Sequence, residues 1–512
     1  MTDWTSGYVS DIGYTYGYYN ELNPQRAKLA CLYAGLVPPT EGGIHCELGF
    51  GQGISTNIHA AASASTWYAN DFNPAQVSFA NSLVECSGAN AFLTDESFAE
   101  FGQRSDLPNF DSIGLHGIWS WISDENRTVV VDFIRRKLKV GGVLYISYNT
   151  LPGWTNFQPM RHLMTEHAAI LGTSGNGIVK NIESSLDFAQ KLLDTKPNYL
   201  NANPQVAERF SKIKGQDRNY LAHEYFNRDW QPMHFATVSK WLSPAKIQYA
   251  CSAGLMDNLE MINLSKEQIK LIKTVDDIEF KETIRDYCVN QQFRRDYWIK
   301  GRRNIKAEQR RDMLRSLKVI LMIPQEEVLL KASGPQGEIS LNQEIYEPIL
   351  NCLNNHKPKL VSQIEEEIKS KNIQLENLFE AVYLLVSLNF LALVQEDEKI
   401  KPAKLLTDKL NRYLINKSAI DGELSYLASP VIGSGVNVGR FQQLFLLAQS
   451  KGHKKSSEWA NFAWEILKSQ NQRILLQGKP LETVEENLSE LSKQAADFEK
   501  TRLPIIKLLG IV

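Results

Sequence analysis

The sequence predicts an α/β fold: a doubly wound, mostly parallel sheet with a helical insertion and a mostly helical C-terminal module. Three observations carry this expectation. The apolar run Ile44 to Leu48 enters Gly49-Phe50-Gly51-Gln52-Gly53 and then the helix-periodic Ile54, Ile58 and Ala61, the order of a strand, a tight turn and a helix. Strand-like segments follow at Trp67 to Ala69, Ala91 to Thr94, Ser112 to Leu115 and Val143 to Ser147, with Asn126 to Leu138 as a helix between the last two. From Pro159 to Phe210, and again beyond residue 302, helical patterning replaces that alternation.

The first turn is the most informative element. Glycines let the backbone approach a ligand without Cβ obstruction, and the helix that follows offers unpaired N–H groups. A dinucleotide fingerprint spaces its third glycine as G-x-G-x-x-G, whereas here the spacing is G-x-G-x-G. Glu47 stands at the strand end, where a carboxylate repels a pyrophosphate and attracts the ammonium and sulfonium of S-adenosyl-L-methionine. The next strand ends in Asn70-Asp71, about twenty residues beyond the turn, the offset at which a carboxylate grips ribose hydroxyls. Glu47, Gly49, Gly51, Gly53 and Asp71 are the expected donor-binding residues. Asp95, at the third strand end, either accepts from the adenine amino group or caps a loop.

In open α/β sheets the ligand lies beyond the carboxyl ends of the strands, so Glu47, Asp71, Asp95, His116 and Tyr148 converge on one rim. Lys139-Val140-Gly141-Gly142 reads as the close of one helix and the turn into the next strand. Pro159 to Phe210 reads as a lid-like insertion broken at Gly172 to Gly177, and Val238 to Leu242 with Ile247 to Ala250 as a helix and strand finishing the sheet edge. Further on, Ser333 to Gly337 and Gln395 to Lys404 read as loops, Ser362 to Glu365 as a capping box, and Leu378, Val382 and Leu385 as one buried helical face. These readings divide the chain at 1–215, 216–301 and 302–512.

At 512 residues the chain is too long for one hydrophobic core. A net charge of −2 gives no global pull toward nucleic acid or anionic membrane. The six cysteines never form C-x-x-C and read as reduced, buried small residues. Met1 to Asn23 has no signal-peptide pattern, and the longest apolar stretch, Ala381 to Val394, is too short to span a bilayer. A cytoplasmic bacterial enzyme without membrane insertion fits. No P-loop, H-E-x-x-H, G-x-S-x-G or paired C-x-x-C is present, and no metal site is expected.

Methyl transfer from a sulfonium needs alignment, exclusion of water and an unprotonated acceptor more than acid–base machinery. Asp111 to Trp121 ends a strand and offers His116, Trp119 and Trp121 at the rim. His116 is the candidate proton acceptor or substrate positioner; the alternative is a histidine that hydrogen-bonds a neighbouring loop. Tyr148-Asn149 is expected to close the acceptor pocket. Tyr8, Tyr14, Tyr16, Tyr18 and Tyr19 form an N-terminal cluster that either folds over the donor or packs on the sheet edge. Arg294-Arg295 and the run from Lys300 to Lys318 read as a solvated helix face or a contact for an acidic protein or nucleic acid. The N-P-P-Y-type loop of base-amino methyltransferases is absent after the fourth strand, which disfavours nucleic acid.

On the residues Tyr18 to Pro24, Glu47 to Gly53, Asn70 to Pro74, Leu115 to Trp121, Ser147 to Trp154, His223-Glu224-Tyr225 and Asn290 to Asp296, the sequence resembles class I S-adenosylmethionine-dependent methyltransferases that carry a methyltransferase regulatory domain. That group includes the rickettsial protein lysine methyltransferases. The resemblance spans roughly the first 300 residues, with a weaker echo at Leu427 to Val431 and Gln443-Leu444-Phe445. It implies a Rossmann-like class I sheet in 1–215, the regulatory domain in 216–301, and a C-terminal helical, winged-helix-like module in 302–512. It also implies methylation of protein lysines and a homodimer, with His116, Trp119 and Tyr148 facing the acceptor. The competing readings are methylation of a small metabolite or glycan, and a non-catalytic donor-binding scaffold.

Overall fold

The computed structural model describes residue 8 and residues 15–39, 43–172 and 177–512. Among these, a seven-stranded sheet runs in the order β3-β2-β1-β4-β5-β7-β6. Its strands are β1 (Ile44–Leu48), β2 (Thr66–Asn70), β3 (Ala91–Thr94), β4 (Phe110–Leu115), β5 (Leu138–Asn149), β6 (Ile247–Ser252) and β7 (Phe293–Lys300). The first five are mutually parallel, and β7 pairs antiparallel with both β5 and β6. This is the sheet of a Rossmann-like class I methyltransferase fold. In register, Glu47 stands beside Ala69 on one side and Gly114 on the other, so the strand ends after Leu48, Asn70 and Leu115 share one edge, where such folds place their ligands.

The helices form where the apolar pattern and caps direct. After the N-terminal α1 (Pro24–Tyr33), the apolar α2 (Ile54–Ser63) follows the glycine turn and is buried over nearly its whole length. Next, α3 (Pro74–Ser87) starts with proline at its first position, is capped by the Asn73 side chain accepting from Ala75 N–H, and stops at left-handed Gly88, the pairing of end signals expected for a helix. The short α4 (Phe98–Gln103) carries a capping box of Ser97 and Glu100. Between β4 and β5, α5 (Asp124–Lys137) is capped by Ser123 and buries Val130, Phe133 and Ile134.

No glycine turn closes α5. Leu138 passes directly into β5, and Lys139 to Gly142 are strand. A register shift against Phe110 and Ser112 absorbs the glycines: Gly141 has φ +84°, and a Cβ on Gly142 would lie 3.0 Å from the Asp111 carbonyl oxygen.

The insertion comprises α6 (Gln158–Leu171), α7 (Gly177–Asp194), α8 (Asn198–Ala202), α9 (Gln205–Lys214) and α10 (Arg218–Tyr225); residues 173–176, within the expected break, lie outside the described residues. It has an apolar core of its own, in which Trp154, Phe157, Met164, Leu186 and Phe210 pack together. Then α11 (Phe235–Leu242) and β6 complete the sheet edge at the segments read from the sequence. The boundary drawn at 215/216 therefore crosses a single sheet, since β6 and β7 lie beyond it.

The last third is mostly helical. Its small sheet sets β8 (Lys318–Leu321) between β11 (Lys359–Leu360) and β12 (Leu391–Leu393). The segment Ser333 to Gly337 is a hairpin of β9 (Lys331–Gly334) and β10 (Gly337–Ser340), not a plain loop. Gln395 to Lys404 is mostly helix, because Asp397 and Glu398 open the helix Asp397–Lys417, where acidic residues favour the first turn. Ser362 lies inside Val361–Glu367, and the Gln363 side chain accepts from Leu360 N–H at the helix start. Leu378, Val382 and Leu385 are buried on one helix. A hairpin of β13 (Tyr426–Ser429) and β14 (Ser434–Asn437) packs on α2, and Gln395 donates to the Ala62 carbonyl at the end of α2.

The basic run is not a uniform solvated face. Arg294 is 2% exposed within β7 and pairs with Asp286, Asp296 and Glu282 at 2.6, 3.0 and 2.6 Å. Arg295 pairs with Glu21 at 2.7 Å, and in the helix Ala307–Arg315 the Arg310 guanidinium donates to the Leu32 and Tyr33 carbonyls. Cys31, Cys46 and Cys251 are buried, the other three cysteines are half-buried, and all are free thiols. Among the described residues, no helix is long and apolar enough to cross a membrane and no cluster of three metal-ligating side chains occurs.

Candidate active site

Beyond the strand ends lies a cavity of about 480 Å³. Its floor is the glycine turn. Gly49, Gly51 and Gly53 all have positive φ, at +71°, +58° and +68°, conformations that glycine adopts without a Cβ penalty. A Cβ on Gly49 would meet Ile118 at 2.4 Å and one on Gly53 would meet Ala80 at 2.7 Å, whereas one on Gly51 would meet nothing within 4 Å. Two of the glycines allow close packing and the third leaves the cavity open.

Two buried carboxylates flank this turn. Glu47 is 2% exposed and accepts from the Thr56 hydroxyl at the start of α2. Burial pushes its carboxyl up to about 8, opposed by the Thr56 hydrogen bond and reinforced by Asp71. Asp71 accepts from Gly51 N–H at 2.8 Å and from Asn73 N–H at 3.0 Å. Burial raises it to about 6 against those two bonds. The Asp71 to Gly51 bond ties the second strand end to the glycine turn.

The far wall comes from the end of β4. His116 lies in both ring stacking and hydrogen bonding: its Nδ1 is 2.7 Å from the Tyr145 hydroxyl, and Tyr19 stacks on it with centroids 3.4 Å apart. Burial lowers its pKa to about 4, with Glu21 opposing and Arg295 assisting. Gly117 N–H donates to Ser147 Oγ at 2.8 Å and fixes the loop behind it. Trp121 lines the cavity beside Ile122 and Asn126.

The roof combines the N-terminal segment with the insertion. Tyr8 and Tyr19 come from the former, and Tyr14 lies outside the described residues. Trp154, Arg209, Tyr220 and Glu224 come from the latter. The Arg209 guanidinium sits 3.8 Å over the Trp154 ring, a cation–π pairing. Tyr8 meets Phe72 edge-on at 5.7 Å, which links the N-terminal segment to the second strand end. Tyr16 instead packs against Phe79 of α3, and Tyr18 against Tyr426 of β13.

Of the residues expected from the sequence, Glu47, Gly49, Gly51, Asp71 and His116 line this one cavity, and Gly53 starts α2 immediately behind it. Three expected positions lie elsewhere. Trp119 is fully buried in the core behind β4, with its carbonyl accepting from Arg127. The adjacent alternation in the 3₁₀ turn Trp119–Trp121 sends Trp121, not Trp119, to the cavity. Tyr148 is fully buried in β5, and its hydroxyl donates to Asp296 at 2.6 Å. It holds the Arg294 cluster, not an acceptor. Asp95 is exposed and outside the cavity lining, while Ser97 and Phe98, a few residues on, line it. Sequence reasoning missed Arg209, Tyr220 and Glu224. Tyr220 and Glu224 do carry a signal, since they sit four residues apart on α10 and so share a face.

Residues 217–300 match the family model described as "Predicted methyltransferase regulatory domain". Over 99% of both chains, the sequence is 39% identical to the uncharacterized protein sll1526 of Synechocystis sp.. It is 24% identical to the uncharacterized protein RP789 of Rickettsia prowazekii, covering 69% of this chain and 62% of that one. Among solved structures it is similar to PKMT2 from Rickettsia typhi in complex with AdoHcy, with a TM-score of 0.68, 18% identity and coverage of 97% and 99% of the two chains.

Proposed function

Because this chain belongs to the same protein family as sll1526 of Synechocystis and combines a class I methyltransferase fold with a methyltransferase regulatory domain, we propose that it is an S-adenosylmethionine-dependent methyltransferase whose acceptor is a lysine ε-amine of a protein. The observation that carries the reading is the pair of buried carboxylates, Glu47 and Asp71, beside an open Gly51. The unobstructed backbone at Gly51 and two carboxyl groups that a neighbouring cation draws into their ionised form suit a cationic, ribose-bearing donor, whereas a pyrophosphate would be repelled by Asp71 and would oppose ionisation of Glu47. Glu47 and Asp71 with Gly49 and Gly51 are the residues that would hold it.

When bound, the donor supplies an electrophilic methyl group on sulfur. Deprotonating a lysine amine at pH 7 costs about 4 to 5 kcal/mol from its reference pKa. Aromatic walls reduce that cost by stripping water from the ammonium, and Tyr8, Tyr19, Tyr220 and Trp154 surround the cavity. A pKa near 4 keeps the His116 imidazole neutral at pH 7, so it offers no charge to repel an ammonium and is a weak proton acceptor. Its part in this reading is to hold Tyr19 flat and fix the acceptor wall. Glu224 supplies a carboxylate on the roof toward which an incoming ammonium is drawn.

One observation favours a smaller acceptor: Trp154, Arg209 and Tyr220 of the insertion region close over the cavity, as a pocket for a metabolite or glycan requires. Incubation with radiolabelled donor and a whole-cell lysate separates the readings. Label in protein bands supports the lysine reading, label only in the small-molecule fraction supports the second, and donor binding without label supports a scaffold.

A further inference from the structure

On the other side of the Tyr19–His116 stack lies a second cavity of about 680 Å³, enclosed by the N-terminal segment, α1, β7 and the C-terminal module. Tyr19, His116 and Phe293 line both cavities. Its volume falls in the range of small-molecule sites, roughly 300 to 1,000 Å³.

Its charge is unlike that of the first. The charged lining is Glu21 against Arg26, Arg295 and Arg502, beside the neutral His116. Glu21 pairs with Arg295 at 2.7 Å. Arg26 donates through Nε to the Ala253 carbonyl at 3.3 Å, and Arg502 donates to the Met322 carbonyl at 2.9 Å. Among the described residues neither of these two guanidiniums has a carboxylate in ion-pair contact. Glu21 acts electrostatically on Arg26 as well as on Arg295, while Asp257 and Glu327, which act on Arg295 and Arg502, do not line the cavity. Three guanidiniums against one carboxylate leave the lining with a surplus of positive charge, and Arg26 and Arg502 keep several N–H donors beyond their single carbonyl bonds. The rest of the lining mixes an apolar strip, with Leu255, Met322, Leu393 and Val436, and polar side chains such as Asn20, Asn389 and Asn437.

We propose that this second cavity binds a small organic anion, its carboxylate or phosphate held by Arg26 and Arg502 and its apolar body lying on the lining from β12 and β14. The site is independent of the reading of the first cavity. Two arginines from opposite ends of the chain converge on it, which a merely structural ion pair does not require.

The test is isothermal titration calorimetry of the full-length protein with octanoate and with octanamide, its neutral counterpart of similar shape. Octanoate is expected to bind at least tenfold more tightly than octanamide, and Arg26→Gln and Arg502→Gln are each expected to reduce that preference at least fivefold. Thermal melting identifies which variants remain folded, and one folded variant suffices. Failure of octanoate to bind, equal binding of the two compounds, or an undiminished preference in a folded variant overturns the proposal. No methyl transfer enters the readout, so the result is separable from the proposed activity.

Discussion

Tyr19 lies flat on His116, with ring planes 17° apart and centroids 3.4 Å apart, and this single stack forms the partition between two cavities of different charge. Its position is fixed from both sides: Tyr19 N–H donates to Ser55 Oγ at 2.8 Å, its carbonyl meets His59 Nε2 at 3.2 Å, and His116 meets the Tyr145 hydroxyl. Tyr19→Ala is expected to lower kcat/KM for methyl transfer at least tenfold while changing donor affinity less than threefold. Tyr19→Phe, which keeps the ring, is expected to stay within threefold of wild type. Steady-state kinetics with calorimetric donor binding reads both.

Donor affinity is expected to rise with pH. A cationic donor favours ionised Asp71 and Glu47, whose pKa values in the free protein are raised to about 6 and about 8, so binding releases protons across that window. Calorimetry in buffers of different ionisation enthalpy measures the release. Asp71→Ala is expected to weaken binding at least tenfold and to remove the portion of the pH dependence near 6.

Glu47 also sets a stability trend of opposite sense. Its folded-state pKa lies above the unfolded value of 4.5, so between those two values the folded state holds more protons than the unfolded state and loses stability as pH rises. Glu47→Gln is expected to melt higher than wild type at pH 8 by the equivalent of a few kcal/mol, with no advantage at pH 4. Thermal melts of the ligand-free protein at both values decide this.

The glycines of the first turn are expected to separate stability from binding. Gly53→Ala drives a methyl to within 2.7 Å of Ala80 and adds left-handed strain, costing about 1 to 3 kcal/mol. Gly51→Ala meets no neighbouring atom within 4 Å; it is expected to cost about 1 kcal/mol of strain and to lose donor affinity more than Gly53→Ala does relative to its stability loss. Chemical denaturation and donor titration on the two variants provide the comparison.

Arg294→Met is expected to destabilise the fold by about 3 to 5 kcal/mol, because it strands the buried carboxylates Asp286 and Asp296. Urea denaturation checks it. A variant within 1 kcal/mol of wild type would show that the cluster adjusts its protonation at little cost.

The glycine turn, Glu47 and Asp71 were legible because their chemistry depends on local order: strand end, positive-φ glycines, helix start. The strands and the edge formed by α11 and β6 were legible from periodicity. Trp119 and Tyr148 were not, since a residue at a strand end or in a 3₁₀ turn faces core or cavity according to neighbours far away in sequence, here Trp241 for one and Asp296 for the other. Arg294 reads as a surface charge until its partners at 282, 286 and 296 are brought around it. The insertion was legible as a lid-like helical segment, but which of its side chains, here Arg209 and Tyr220, reach the cavity depends on how α9 and α10 pack over the strand ends.

The N-terminal segment meets the hairpin of β13 and β14 at Tyr18. Its hydroxyl lies 2.6 Å from Ser434 Oγ and accepts from Gly435 N–H at 2.7 Å, while Asn20 and Asn23 join residues 434 and 433. A protein truncated after Lys300 would retain all seven strands of the large sheet and the bonds of Tyr19 to Ser55 and His59, yet the ribbon carrying Tyr19 would lose its bonds to residues 433–435. The C-terminal module thus serves as the clasp on a belt whose buckle sits beside the glycine-turn cavity.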